Sequence, residues 1–407
     1  MDKTGPGAFI LIVSLLLGAC GSPPEESAQE DLLFLQTGSG VAIVETGATS
    51  PTFRDGAVVP SRDWSTVVRT VTVRNETRLE ALNPTSGVES WSMNLAGNLR
   101  VKVVSEDGDL VALGPARESH YSQGRASTKL VIAGKGIPDP RTIKLEGSFE
   151  PEAFSIDGRS LFVIEYLPAR APSSYRVRRL DLESGRAGGV YTVDEELQQA
   201  MGGTARIQAT SPDGRRLYTL YTLDGSKGAS YAFIHVLSLD ELWAHCIDLP
   251  PEFANSSESA TALTVSPDGK RLYVANTEAG AVAEVDTDEL KVVRTGDIGS
   301  LFAGRTHAVI DSDRTLYIAS GTRVVAMAIP DLTQRDWWSM PEEITGVQLA
   351  SDESKLYVGL RKRIVTLDVS TGEQLGVLDP PGVNRIDGLG RTTRSLDEER
   401  TEFVCAC

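Results

Sequence analysis

The chain has 407 residues, 40 of them basic and 56 acidic, for a formal net charge of −16. Double-stranded nucleic acid is bound mainly by neutralising phosphates, so this balance excludes a nucleic-acid partner and fits a soluble, self-repelling surface. The length would suit two or three ordinary domains, yet a block repeated along most of the chain accounts for it without a domain boundary.

The first residues stand apart. Lys3 gives a positive start, Ala8 to Leu17 is an apolar run too short to span a bilayer, and the segment ends Leu17-Gly18-Ala19-Cys20. These four residues resemble the lipobox of bacterial lipoproteins. The resemblance implies a signal peptide over 1–19, cleavage before Cys20, lipid attachment at Cys20, and an extracytoplasmic protein held on the bacterial cell membrane. Gly21 to Asp31 contains two prolines and four acids. Residues 20–30 therefore read as a flexible tether.

A small or polar residue, an acidic turn and a hydrophobic strand then recur. The block is clearest as Ser211-Pro212-Asp213-Gly214-Arg215-Arg216-Leu217-Tyr218 and Ser266-Pro267-Asp268-Gly269-Lys270-Arg271-Leu272-Tyr273. Looser copies centre on Asp107, Asp157 and Asp352, the last beginning at Ser351, and degenerate ones on Asp63 and Asp313. Spacings of 39 to 56 residues are those of a solenoid, an array or a propeller. Around Asp268 the chain reads as four short strands: Thr261–Val265, Leu272–Asn276, Ala281–Asp286 and Lys291–Thr295. Four antiparallel strands joined by tight turns make one propeller blade. A second marker falls between third and fourth strands, as Asn83-Pro84-Thr85-Ser86-Gly87, Asp181-Leu182-Glu183-Ser184-Gly185 and Asp368-Val369-Ser370-Thr371-Gly372. In both markers the Asp or Asn can bond its own backbone while Gly supplies positive φ. These acids are therefore spent on turns rather than on metals or catalysis.

Blades are predicted at 57–95, 97–147, 149–192, 204–250, 259–298, 304–340 and 343–379. Leu32–Gln36 and Gly40–Glu45 read as second and third strands without a first, and Gly382–Gly388 as a first strand with nothing after it. Pairing the two ends would complete an eighth blade and hide the sheet edges. The expected fold is all-β, a single propeller of four-stranded antiparallel blades over 31–392, followed by a polar tail at 393–407. Eight blades are favoured, and seven result if the end strands merely extend their neighbours. The chain resembles bacterial YVTN-type β-propeller repeat proteins, whose namesake segment appears here as Leu272-Tyr273-Val274-Ala275-Asn276. That resemblance is informative for fold and poor for activity.

The chemistry-bearing residues are sparse. Four histidines occur, His120, His235, His245 and His307, in no zinc-type spacing, and neither a nucleophile elbow nor a phosphate-binding loop is found. No catalytic, cofactor-binding or metal residue is assigned, and no cofactor is expected. Cys246, in Trp243-Ala244-His245-Cys246-Ile247, reads as a buried strand residue, and Cys405-Ala406-Cys407 as the end of a disordered tail. The segment Ala81 to Trp91, ending Gly87-Val88-Glu89-Ser90-Trp91, resembles the docking-tryptophan motif of quinoprotein dehydrogenases, though only once. Of Trp337 and Trp338, adjacent on a strand, one should pack between blades and the other face out. The favoured reading is a binding module for a protein, peptide or envelope ligand, without catalysis. Its candidate ligand-loop residues are Arg170, Tyr175 and Arg176, from the long loop Leu167–Arg176, together with His120. The alternative is a propeller enzyme of lactonase-like or quinone-dependent type.

Overall fold

Each Ser-x-Asp-Gly block closes into the same small network. In a computed structural model of the chain, Ser266 N–H donates to the Arg271 carbonyl (2.8 Å) and Arg271 N–H donates back to Ser266 Oγ (3.0 Å). The Ser266 hydroxyl and the Lys270 N–H both donate to Asp268 Oδ1, at 2.6 and 3.1 Å. These donors, the serine first, hold Asp268 below the usual carboxylate range. Gly269 takes φ +73°, which an L side chain rarely adopts. The turn thus reverses the chain and satisfies its own buried polar groups.

The structure describes residues 31–38, 40–47, 51–55, 57–118, 123–192, 201–223, 230–254, 257–299, 304–312 and 315–394. Their strands form eight sheets, antiparallel but for one short added strand. Blades 1 to 7 have their strands within 57–96, 99–146, 148–189, 204–248, 261–297, 306–339 and 346–378. Blade 8 is composite: Ile386–Arg394 pairs with Asp31–Thr37, which pairs with Gly40–Glu45, which pairs with Thr52–Asp55. The closing strand starts later and runs longer than the predicted Gly382–Gly388. The structure also moves one boundary. Blade 3 ends at Gly189, and Tyr191–Thr192 crosses over to lie parallel to Trp243–Ala244, a short fifth strand on blade 4.

One turn expected to be degenerate, at Asp63, and one looser copy, at Asp352, follow the common pattern. Asp63 accepts from the Ser61 hydroxyl (2.6 Å) and the Ser65 N–H (2.9 Å), and Trp64 occupies the glycine position at φ 62°. Its ring lies 4.9 Å from that of Phe34, so the strained backbone is offset by packing between blades 8 and 1. In blade 7 Ala350, not Ser351, holds the serine position, because Ala350 N–H donates to the Lys355 carbonyl, and Glu353 sits at φ 59°. Asp313 lies outside the described residues. In its blade Asp311 replaces the serine, accepting from Thr315 N–H at 2.6 Å.

Alternation along each strand sends successive side chains into two different junctions. Leu272 and Val274 pack toward blade 4, while Tyr273 and Ala275 pack toward blade 6. Every pair of neighbouring blades shares a buried apolar cluster of this kind, including Leu33, Leu35, Tyr357 and Ile386 between blades 7 and 8 and Leu32, Phe34 and Ile43 between blades 8 and 1. Each such large side chain contributes about 1.5–3 kcal/mol by leaving water. Outermost-strand tryptophans do the same work. Trp91 packs toward blade 2, Trp243 toward blade 5, and Trp338 toward blade 7, where its indole occupies the space a side chain at Gly372 would need. The Trp91 pattern is therefore blade docking. Trp338 is 8% exposed and Trp337 is 48% exposed, with the Arg323 guanidinium 4.9 Å from its ring centre.

Antiparallel order makes the two faces of the ring different. First-to-second and third-to-fourth connections share one face, which is the face of tight turns. Second-to-third connections and blade crossovers share the other, the loop face.

Candidate functional site

The longer connections of blades 2 and 3 meet on the loop face. Arg125 N–H donates to the Ala169 carbonyl at 2.7 Å. Gly124 has φ +73°, and a Cβ there would lie 2.5 Å from the same carbonyl oxygen, so only glycine allows the loops to close up. Beneath them is a buried ionic network. Lys102 Nζ lies 3.1 Å from both Glu118 and Glu150, and the Arg125 guanidinium bonds Glu150 and donates to the Phe149 carbonyl at 2.8 Å. The Lys102 and Arg125 side chains are less than a tenth exposed. Charges so buried are tolerated only when paired and hydrogen-bonded, and their net worth is shape more than stability. The two loops therefore form one pre-organised platform.

An open groove of about 780 Å³ runs from this platform down the flank of blade 2, past Arg117, Lys129, Thr142 and Lys144. Lys129 and Lys144 are directly opposed across the third and fourth strands, and both are exposed, as is Arg117. Like charges opposed across a ladder are unfavourable. Lys144 has one exposed carboxylate neighbour, Glu146, at 3.1 Å, which offsets little.

The junction of blades 3 and 4 is chemically unlike the others. Glu152 sits at a bulge of the innermost strand of blade 3, between Pro151 and Ala153. Its Oε1 is reached by Gln208 Nε2 (3.2 Å) and Thr219 Oγ1 (3.5 Å), while Oε2 has no hydrogen-bond partner among the described residues. Burial pushes this carboxyl up to about 7, against the opposing pull of Thr219, Arg62 and Gln208. Behind it Tyr175 stacks on Tyr221 (4.8 Å) and Tyr221 on Phe233 (5.3 Å). Both tyrosines are 3% exposed, and their hydroxyls are unpartnered among the described residues.

Beyond the stack lies a cavity of about 310 Å³, bordered by Arg176, Val177, Met201, His235, Ala244 and Cys246. It exists because the outermost strand of blade 3 is only Ala187–Gly189 before the chain departs for blade 4. Above that point the third strand has one further partner, a two-way backbone bridge between Tyr175 and Met201. His235 and Cys246 are opposed residues on neighbouring strands of blade 4. Burial, with His245 nearby, lowers His235 to about 4, so its imidazole is neutral at physiological pH.

The four candidate ligand-loop residues thus fall in different places. Arg170 is exposed on the loop platform. Tyr175 is a buried member of the aromatic stack rather than a surface contact. Arg176 borders the cavity, with its guanidinium 2.6 Å from Glu165. His120 and Cys20 lie outside the described residues. Reasoning from sequence missed Glu152 and the Lys129–Lys144 and His235–Cys246 pairs. Each member is unremarkable alone, and only strand register brings it to its partner.

No protein-family model matches this sequence, and no curated relative matches it. Among solved structures the chain is similar to apo AztD from Citrobacter koseri, at 12% identity over 90% of this chain and 98% of that one, with a TM-score of 0.56. It is also similar to the dihydro-heme d1 dehydrogenase NirN in complex with DHE, at 14% identity over 93% and 78%, with a TM-score of 0.55. At such identities the likeness is one of fold: this chain is an eight-bladed β-propeller.

Proposed function

We propose that the chain is a lipoprotein of the bacterial envelope, a YVTN-like propeller tethered through Cys20, that binds a protein or peptide carrying an acidic segment in the blade 2 groove. One observation carries the ligand class. Arg117, Lys129 and Lys144 are exposed around a groove built on a locked platform, in a chain of net charge −16. An opposed lysine pair costs stability unless an anion relieves it, and pre-organised loops reduce the ordering cost of binding. Charge of this kind chiefly sets partner choice and association rate.

Two experiments test the two halves of this reading. Capture from envelope extract by the wild-type protein should recover a partner that Lys129→Glu/Lys144→Glu does not, with recovery falling as salt rises. Equal recovery by both proteins overturns the groove as the binding site. Independently, Cys20→Ala should move the protein from the membrane fraction to the soluble extracytoplasmic fraction, and unchanged membrane retention refutes lipidation.

A further inference from the structure

We propose that the cavity between blades 3 and 4 is a site for a single monovalent soft metal ion, Cu(I), held by the Cys246 thiolate, the Met201 thioether and the His235 imidazole.

Three features converge there. First, Cys246 is present as a thiol whose Sγ lies 3.6 Å from Met201 Sδ. Thiolate and thioether together are the ligands that select Cu(I). Second, His235 is directly opposed to Cys246 across the ladder, which places their Cβ atoms roughly 4.5–5.5 Å apart. It is only 2% exposed and borders the same cavity. An imidazole so placed can offer a ring nitrogen lone pair to a metal ion. Third, Met201 is not a loose loop residue. Its backbone is fixed to Tyr175 by bonds of 2.8 and 2.7 Å in both directions, and Tyr175 is in turn locked in the aromatic stack. The three ligands thus come from a strand, its neighbour and a clamped crossover, all bordering one cavity.

Charge favours a monovalent ion. Binding replaces the thiol proton by the metal and releases that proton to solvent, so a Cu(I)–thiolate pair with a neutral imidazole and thioether carries no net charge. Buried walls, with His235 2%, Ala244 4% and Val177 8% exposed, accept such a unit without the penalty of a buried charge. A dication on one thiolate would keep a positive charge beside Arg176 and Arg178 at the cavity margin. Zinc also prefers four nitrogen, oxygen or thiolate ligands, and among the described residues no cluster of three or more His, Cys, Asp or Glu could hold it. This proposal is independent of the blade 2 groove.

The test uses the full-length chain carrying Cys20→Ser, Cys405→Ser and Cys407→Ser, so that Cys246 is the sole thiol. Titration with Cu(I) under anaerobic conditions, against a chromogenic Cu(I) chelator, should show one ion per chain and a sulfur-to-copper absorption band in the near ultraviolet. Cys246→Ser should abolish both. Met201→Leu and His235→Gln should each weaken binding by at least about 100-fold, since even loss of a group supporting a ligand costs 10- to 100-fold. In the parent protein, Cu(I) should also protect Cys246 from alkylation, a readout that survives if Cys246→Ser fails to fold. No retained copper, copper retained equally by the Met201→Leu and His235→Gln variants, or tighter binding of Zn(II) than of Cu(I) would each overturn the assignment.

Discussion

Leu35→Ala should lower the unfolding free energy by about 3–4 kcal/mol, whereas Val377→Ala should change it by less than about 0.5 kcal/mol. Leu35 is fully buried in the cluster shared by blades 7 and 8, on the strand that joins the two ends of the chain. Val377 is 40% exposed on the outermost strand of blade 7. The contrast matters because closure is the one step no local turn can enforce. Asp31 reinforces it by accepting from the Tyr357 hydroxyl (2.7 Å) and the Ser351 N–H (3.0 Å), tying the composite blade to blade 7. Urea unfolding midpoints of the two variants measure the difference. Similar midpoints would mean that the terminal strands are dispensable. Deleting 386–407 should have a still larger effect, because the edge of Asp31–Thr37 would then be open to other chains, visible as oligomers in size-exclusion chromatography.

Glu152→Gln should stabilise the protein at pH 8 and leave it unchanged near pH 4.5. The carboxyl is raised from 4.5 to about 7 by burial. Below pH 4.5 it is protonated in folded and unfolded chains alike, and nothing is lost. Between 4.5 and 7 the unfolded chain ionises while the folded one keeps its proton, so stability falls as pH rises. Above 7 the cost is complete, on the order of 3 kcal/mol. Glutamine can still accept from Gln208 and Thr219 and carries no charge to bury. Thermal melts of wild type and variant across pH 4.5–8 should therefore diverge steadily. Parallel curves would show that the carboxylate is solvated in the folded state. His235 acts in the opposite sense. Its depressed value means that stability is lost as pH falls from 6.5 toward 4, so between pH 4.5 and 6.5 the two groups oppose each other and their combined effect is nearly flat.

Much of the fold is legible in the sequence because each blade repeats its own turn chemistry. Asp213 and Asp268 announce themselves through proline and glycine, and the unfinished strands at the two ends predict the composite blade. Legibility fails where one residue replaces another in the same geometric role. Trp64 and Glu353 stand at the glycine position, and Asp311 and Ala350 stand for the serine, so a motif read by letters finds those blades imperfect while the backbone does not. The Tyr191–Thr192 crossover is invisible for a different reason. Two residues choose a parallel partner in the next blade, and no periodicity encodes that choice. Yet the crossover opens the cavity, and so the most distinctive chemistry arises where the repeat is least regular. Tyr175 shows the converse. An aromatic in a loop-like segment suggests a surface contact, but the third strand already begins at Ser174 and turns the ring inward.

The composite blade also sets from which face of the ring the N-terminal segment emerges. Asp31 opens the second strand of that blade, so the chain enters the ring on the side of the tight turns, and Arg394 leaves from the same side. Residues 21–30 can span at most about 35 Å. With Cys20 acylated as proposed, the short turns are turned toward the bilayer, and the interlocked loops of blades 2 and 3 are held outward, facing whatever diffuses through the envelope.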